Sequence, residues 1–244
     1  MKQSALARRT TALGAFLFLT IVLWHTCGSI ASGQSRYTDA ASTSMFSIGV
    51  GVAPGIALPI GTLDDDDEPA PGFALRAGLN ITYPLSIDLA TFLNAGIDMR
   101  SVGVREDTLL DPRMTSVQYF YIQPGISYSS LGLSLNVGIP LSGSEPMPRT
   151  AGSNVDLEAT QDIPSEQLEL LLEPRLNGTL VLMDSESYWL GLDISVGLPL
   201  NKLYKEEYQR DPEVDLDGRT LVGTTSPFTA HLGLTFQFGL FDAF

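Results

Sequence analysis

The sequence predicts an all-β fold, an eight-stranded antiparallel up-and-down β-barrel whose apolar side faces outward into a membrane. Apolar and polar residues alternate with a period of two from about residue 44 onward, which is typical of strands with two unlike faces. Short and long connections also alternate, as in an even-stranded barrel. The polar face is rich in Gly, Ala and Ser, and such small residues suit the crowded interior of a narrow barrel.

Composition restricts the classes of protein to which the chain can belong. The 244 residues are 44% hydrophobic and include 14 Lys+Arg against 28 Asp+Glu, a net charge of −14. This length allows one large domain or two small ones, and the acidic balance argues against a nucleic-acid partner. The single cysteine, Cys27, excludes an internal disulfide and a four-cysteine zinc site. We expect no cofactor.

Residues 1–33 have the pattern of a cleaved secretory signal peptide. Lys2, Arg8 and Arg9 precede an apolar run over residues 12–24, and a small-residue stretch follows it. The run has about 13 residues, whereas a membrane-spanning helix needs roughly 20. We therefore expect export and cleavage, a flexible segment over residues 34–43, and a barrel domain over residues 44–244.

Eight segments carry the alternation. The predicted strands cover residues 46–60, 73–83, 87–100, 119–128, 131–141, 168–182, 188–200 and 228–240. Short turns join the second to the third, the fourth to the fifth and the sixth to the seventh, and the apolar phase is kept across each turn, as hairpin pairing requires. Because proline removes a ladder hydrogen bond, we expect bulges at Pro54, Pro124 and Pro174.

Aromatic residues on the apolar face indicate which way it points. They fall at both ends of the strands, as in the two aromatic girdles of a transmembrane barrel. The girdle residues are Phe46, Tyr83, Tyr128 and Tyr188 at the short-turn end, and Phe73, Phe120 and Phe228 at the long-loop end. The alternative is a secreted, soluble, lipocalin-like barrel, which would bind an apolar ligand inside.

Nine titratable residues occupy the polar faces and would point into the lumen. Because unpaired charges in a narrow lumen are costly, we expect a network that plugs and rigidifies the barrel, with a proton or ion path as the alternative. His231, the one histidine beyond residue 33, has no serine or carboxylate motif beside it, which argues against an enzyme. The predicted lumen network comprises Arg76, Asp88, Asp98, Arg100, Glu169, Glu173, Arg175, Asp193 and His231.

Much of the remaining acid lies in the first and fourth long connections. Clustered carboxylates attract hard divalent cations, so these residues are weak candidates for a metal site, although solvated loop acid is the simpler interpretation. The candidates are Asp64, Asp65, Asp66, Asp67, Asp215 and Asp217.

The last strand ends in Phe236, Phe238, Leu240 and Phe244, which resembles the carboxy-terminal assembly signal of bacterial outer-membrane proteins. With residues 121–126 (YIQPGI) and the loop alternation, the chain resembles the small eight-stranded, porin-like "outer membrane protein beta-barrel domain" group over roughly residues 44–244. The resemblance implies an outer-membrane location, contact with outer-membrane lipid, and delivery by the barrel assembly machinery. It implies a non-enzymatic role that is structural, adhesive or concerned with small solutes, and leaves the oligomeric state open.

Overall fold

Ten β-strands and one short 3-10 helix are formed by the residues that the computed structural model describes, 45–60, 67–106, 112–146, 160–185, 187–205 and 226–242. All of them belong to the compact unit Ser42–Phe244. The predictions for residues 1–43, for Asp64, Asp65, Asp66, Asp215 and Asp217, and for Phe244 lie outside the described residues, as does the side chain of Asp67. No helix in the described ranges is long and apolar enough to cross a membrane.

Eight long strands close into a ring. All ten strands of the described residues, of which β2 and β7 are the two short ones outside the ring, are β1 (Met45–Ile60), β2 (Asp67–Ala70), β3 (Gly72–Pro84), β4 (Leu89–Glu106), β5 (Arg113–Tyr128), β6 (Leu131–Pro146), β7 (Thr160–Ile163), β8 (Leu171–Asp184), β9 (Tyr188–Gly197) and β10 (Ser226–Asp242). Antiparallel pairing runs β1, β3, β4, β5, β6, β8, β9, β10 and back to β1. The short strands β2 and β7 pair with the ends of β4 and β6. The predicted eight-stranded antiparallel barrel is confirmed.

The two faces of the wall are opposite in character. Large apolar side chains on the outward phase are exposed, such as Leu79 at 56% and Leu133 at 62%. Inward neighbours on the same strands are buried and polar, such as Asn80 and Asn136. The soluble-carrier alternative requires an apolar interior, so this polarity argues against it.

Aromatic side chains mark the short-turn end of the outer face, as predicted. The ring centroid of Phe46 lies 4.9 Å from that of Phe241, in a stacked arrangement, and 6.3 Å from that of Tyr83. Tyr128 and Tyr188 are exposed on the same rim. At the long-loop end, Phe73 and Phe120 are exposed and Phe228 is half-buried.

Several predicted boundaries are wrong. The predicted third strand corresponds to β4 and extends to Glu106. The predicted fourth strand corresponds to β5 and starts at Arg113, so the connection between the two is shorter than expected. The predicted sixth strand corresponds to β8, which starts at Leu171 rather than at residue 168. The predicted seventh strand corresponds to β9, which ends at Gly197 rather than at residue 200. In both cases an apolar alternation continues into a segment that leaves the wall.

The predicted bulges at the three prolines are also wrong. The register is the same before and after Pro54, and before and after Pro124. Each proline and the residue before it simply lack a pairing partner on one neighbouring strand, which is β10 for Pro54 and β6 for Pro124. Pro174 pairs in register with Leu135. The irregularities fall instead at Phe46/Ser47, Gln118/Tyr119 and Val181/Met183. A proline in an antiparallel ladder thus removes a donor without requiring an extra residue.

Candidate functional site in the barrel lumen

Five charged side chains meet across the middle of the lumen, and we call them the ionic cluster. Arg76 comes from β3, Asp98 and Arg100 from β4, and Glu173 and Arg175 from β8. Residues two apart on a strand share a face. This is why β4 and β8 each supply one acidic and one basic side chain to the ionic cluster. Each of the five residues is at most 6% exposed, so solvent screens these charges little.

Arg100 is the centre of the ionic cluster. Its Nε and Nη2 donate to Oδ1 and Oδ2 of Asp98 at 3.0 and 2.7 Å. Its Nη1 and Nη2 donate to Oε1 and Oε2 of Glu173 at 3.0 and 2.7 Å. One guanidinium therefore forms a bidentate pair with each of two carboxylates, the geometry in which arginine binds carboxylates most strongly.

Glu173 accepts further hydrogen bonds beyond those from Arg100. Arg175 Nη1 and Asn136 Nδ2 donate to its Oε2 at 2.8 and 2.9 Å, and Thr229 Oγ1 donates to its Oε1 at 2.9 Å. A buried carboxylate needs this degree of satisfaction to offset its lost hydration. Glu173 thus links β4, β6, β8 and β10 across the interior.

Arg76, on β3, joins the same network from the wall opposite β8. Its Nε lies 3.2 Å from Asp98 Oδ2, an ion-pair contact that does not have hydrogen-bond geometry. Its Nη2 donates to Asn136 Oδ1 at 3.2 Å. The guanidinium carbon lies 3.9 Å from the ring centroid of Tyr121, a cation–π contact that further stabilises the buried charge.

His231 lies at the edge of the ionic cluster. Its Nδ1 is 2.7 Å from Arg175 Nη2, which also donates to Ser195 Oγ at 3.1 Å. Because arginine offers only donors, this contact assigns the acceptor role to Nδ1 and makes the imidazole neutral. His231 is therefore placed to accept from a guanidinium rather than to activate a serine hydroxyl.

The remaining three residues of the predicted network lie apart from the ionic cluster. Asp193 faces the lumen nearer the short turns, where Thr179 Oγ1 donates to it at 2.6 Å and Thr235 Oγ1 also donates. Glu169 lies outside the strands, between the 3-10 helix and β8, and is half-buried. Asp88 is exposed in the β3–β4 turn, because β4 begins only at Leu89. The prediction that Asp88 belongs to the lumen network is therefore wrong.

Neutral side chains accompany Asp193 in the lumen on the short-turn side. Gln123 Nε2 donates to Ser134 Oγ at 2.6 Å and to Asn177 Oδ1 at 3.2 Å. Phe92 packs against Gly125, where an added Cβ would lie 2.3 Å from the ring, and Trp189 packs against Gly191 at 2.5 Å. The small residues of the polar face therefore make room for two inward aromatic rings.

A group of buried apolar residues lies on the long-loop side of the ionic cluster, and we call it the apolar cap. Val117, Tyr119 and Leu171 come from β5 and β8, and the others come from β7 and the long connections. Tyr119 and Val117 are paired with Asp98 and Arg100, so the cap adjoins the ionic cluster. The apolar cap comprises Val117, Tyr119, Ile163, Leu168, Leu171, Leu203 and Tyr204.

Several residues of this site were not among those singled out by sequence reasoning. Asn136 and Thr229 lie on the predicted inward phase, and that phase was the signal that would have found them. Leu203 carried no such signal, because it belongs to a connection. Leu168 was predicted on the outward face at the start of the sixth strand, and this is wrong, because Leu168 is buried and precedes that strand. Of the predicted assembly residues, Phe238 and Leu240 are exposed on the outer face and Phe236 is half-buried there.

A metal site finds no support in the described part of the chain. There, no three His, Cys, Asp or Glu side chains are grouped so that they could hold a metal ion. The carboxylates that do converge, Asp98 and Glu173, are bound to arginines instead.

No protein-family model matches the chain, and no curated protein matches it either. Solved structures similar to it include three outer-membrane barrels. Ail, the attachment invasion locus protein of Yersinia pestis, is 13% identical, with 80% of this chain and 99% of that chain covered at a TM-score of 0.36. The outer membrane protein OprG of Pseudomonas aeruginosa is 13% identical, with 81% and 97% covered at 0.36.

The third structure is the N-terminal β-barrel domain of OprF from Pseudomonas aeruginosa. It is 11% identical, with 79% of this chain and 97% of that chain covered at a TM-score of 0.26. Values this low say nothing about function, so the role of this chain has to be inferred from its own lumen and outer surface.

Proposed function

We propose that this chain is a non-enzymatic, integral outer-membrane β-barrel whose lumen is closed and whose long connections face outward from the cell. Its outer wall carries large exposed apolar side chains on every long strand. A water-soluble monomer does not tolerate a contiguous apolar surface of this extent. In a bilayer the same surface is solvated by lipid, and the closed ring leaves no unpaired sheet edge.

The observation that carries the closed lumen is the pairing of Arg100 with both Asp98 and Glu173 across the interior. A solute that passed would have to separate buried bidentate ion pairs, and removing the partner of such a charge costs about 3–5 kcal/mol. The apolar cap covers one side of this layer, and Phe92 and Trp189 occupy the other. The barrel would therefore act as an anchor rather than as an open pore.

A role without catalysis is favoured by the surroundings of His231. Its contact is with Arg175 at 2.7 Å, whereas a hydrolytic site needs a histidine aimed at a nucleophile and held by a carboxylate. The partners implied by this proposal are outer-membrane lipid and the barrel assembly machinery. What distinguishes the protein at the cell surface would then be the acidic connections that the barrel displays.

Planar-bilayer conductance of the refolded protein tests the closed lumen. We expect no unitary current steps, with integration verified on the same preparation by resistance of the protein to carbonate extraction from vesicles. Steady steps would show an open pore and contradict the closed lumen. Recovery of the protein in the aqueous phase without detergent would contradict the membrane location itself.

A further inference from the structure

The positive charges of the ionic cluster outnumber its negative charges. The cluster contains three guanidinium groups and two carboxylates, and arginines bind both carboxylates. Three positive charges against two negative ones leave an excess of one positive charge. All five side chains are buried, so little water is available to solvate this excess. Because a buried charge without a counter-charge is strongly unfavourable, the excess calls for a negative partner.

The neighbouring titratable groups do not supply that negative charge. Asp193 is the other acidic side chain that faces the lumen from a strand, and it accepts hydrogen bonds from Thr179 and Thr235. In the described part of the chain no ion pair joins it to an arginine. The imidazole of His231 is neutral, since its Nδ1 accepts from Arg175. The excess of positive charge is therefore local to the ionic cluster.

Three buried nitrogen atoms around this excess charge have no hydrogen-bond partner among the described residues. They are Nε of Arg76, Nε of Arg175 and Nε2 of His231. The Nε of an arginine always carries a hydrogen, and the ring hydrogen of His231 is on Nε2 because Nδ1 is an acceptor. All three atoms are therefore donors, whereas no buried side-chain oxygen of the described residues lacks a partner. The group that would satisfy them has to be an acceptor.

These donors flank a stretch of β1 that has small side chains. Ala53 pairs with Arg76, and Gly55 pairs with His231; residues 53 and 55 share the inward face. A Cβ at Gly55 would lie 2.8 Å from Cδ2 of His231, so the Cδ2–Nε2 edge of the imidazole faces β1 while Nδ1 faces Arg175. Ala53 presents only a methyl group beside this edge. Space for a small group therefore remains above Ala53, between Arg76 and the imidazole.

We propose that the lumen binds one small monovalent anion, such as chloride, above Ala53 and between Arg76, Arg175 and His231. The anion accepts hydrogen bonds from the unpartnered N–H groups and neutralises the excess positive charge. Water can accept from the same donors, but it leaves the charge uncompensated, and for this reason the charge count favours an anion. The inference goes beyond the proposed function, because the anion binds whether or not the barrel serves as an anchor.

The chloride dependence of stability tests the proposal. The refolded wild-type protein in phosphatidylcholine vesicles is unfolded with urea at several chloride concentrations, and sodium gluconate, which has a bulky anion, keeps the ionic strength constant. For one anion that binds only the folded barrel, the unfolding equilibrium constant should fall about tenfold for each tenfold rise in chloride above its dissociation constant. An unfolding constant that does not change with chloride overturns the proposal, and it is the result expected if water alone satisfies the donors.

Substitutions at Ala53 test where the anion binds. Ala53→Asp places a carboxylate at the proposed position of the anion, and Ala53→Asn places a neutral side chain of the same size there. With gluconate as the only anion, the unfolding constant of Ala53→Asp should be at least about tenfold lower than that of Ala53→Asn, because the carboxylate neutralises the excess charge. The stability of Ala53→Asp should also no longer depend on chloride. Equal or lower stability of Ala53→Asp overturns the proposal, since a buried carboxylate without a positive partner is destabilising.

Discussion

Arg100 and Glu173 lie on strands that β5 and β6 separate, yet their side chains meet through two hydrogen bonds of 2.7 and 3.0 Å. The contact therefore fixes the distance between opposite walls of the barrel. Because both residues are fully buried, neither charge has water as an alternative partner.

Removing the central guanidinium should destabilise the barrel strongly. Arg100→Met leaves two buried carboxylates without their bidentate partner, and we expect a loss of about 3–5 kcal/mol in the free energy of unfolding. Urea titration of the refolded protein in lipid vesicles measures it. Asp88→Asn, in the exposed β3–β4 turn, is the control and should change stability by less than about 0.5 kcal/mol. Equal effects of the two substitutions would contradict the role assigned to the ionic cluster.

A positive charge on the outer wall should be costly in proportion to its depth. Leu135 is exposed near the middle of the apolar face of β6, so Leu135→Arg should cost about 2–4 kcal/mol and block assembly. Leu85, in the exposed turn after β3, is the matched position, where Arg should cost about 0–1 kcal/mol. The yield of folded protein in heat-modifiability electrophoresis compares the two. A similar yield for both variants would argue against a lipid-facing wall.

One glycine is required by the position of Glu173. A Cβ at Gly197 would lie 2.3 Å from Oε1 of that carboxylate, so Gly197→Ala must displace a group that five donors hold. We expect a cost of about 1–3 kcal/mol, the usual cost of overpacking. Gly132→Ala is the comparison, since its nearest contact is at 3.2 Å and involves the Phe92 ring. Thermal unfolding midpoints that fall equally in both variants would show that Glu173 is not the constraint.

The connection that contains Tyr204 is attached to the end of β6 by a hydrogen bond that can be removed selectively. Tyr204 Oη donates to Glu145 Oε2 at 2.8 Å, and Gln161 Nε2 donates to Oε1 of the same carboxylate. Tyr204→Phe should weaken this attachment by about 0.5–1.5 kcal/mol. Amide hydrogen exchange of residues 166–170 and 201–205 should accelerate, while that of β1 and β10 stays unchanged. Tyr128→Phe, at the exposed opposite rim, should leave exchange in both regions as in the wild type.

The sequence was informative where side chains alternate and uninformative where they do not. The alternation of apolar and polar residues placed Arg76 and Glu173 in the interior. It could do so without indicating which strands lie opposite each other, because the face on which a residue lies depends only on its own strand. The meeting of Arg100 with Glu173 depends on the register accumulated over β5, β6 and β8. That quantity is set by hydrogen bonding between strands and leaves no local pattern.

The apolar cap could not be predicted for a different reason. Leu203 lies in a connection, where hydropathy has no period that assigns a face. Leu168 also lies in a connection, but there the pattern is misleading. The alternation in residues 168–170 even resembles the strand that follows, although β8 begins only at Leu171. Asp88 was misplaced by the same kind of extension, since the phase of β4 was carried into its turn.

Ser47 and Gln237 hydrogen-bond at 2.6 Å although 190 positions separate them along the chain, and the whole β1–β10 ladder shares this remoteness. Contacts of such high contact order form slowly, because loop-closure entropy is lost before they stabilise anything. Until β10 pairs with β1 and β9, the earlier strands can form only an open sheet with an exposed edge and an apolar face. These two features promote aggregation. We therefore expect that the nascent protein has to be kept from aggregating until its last strand is available to complete the ring.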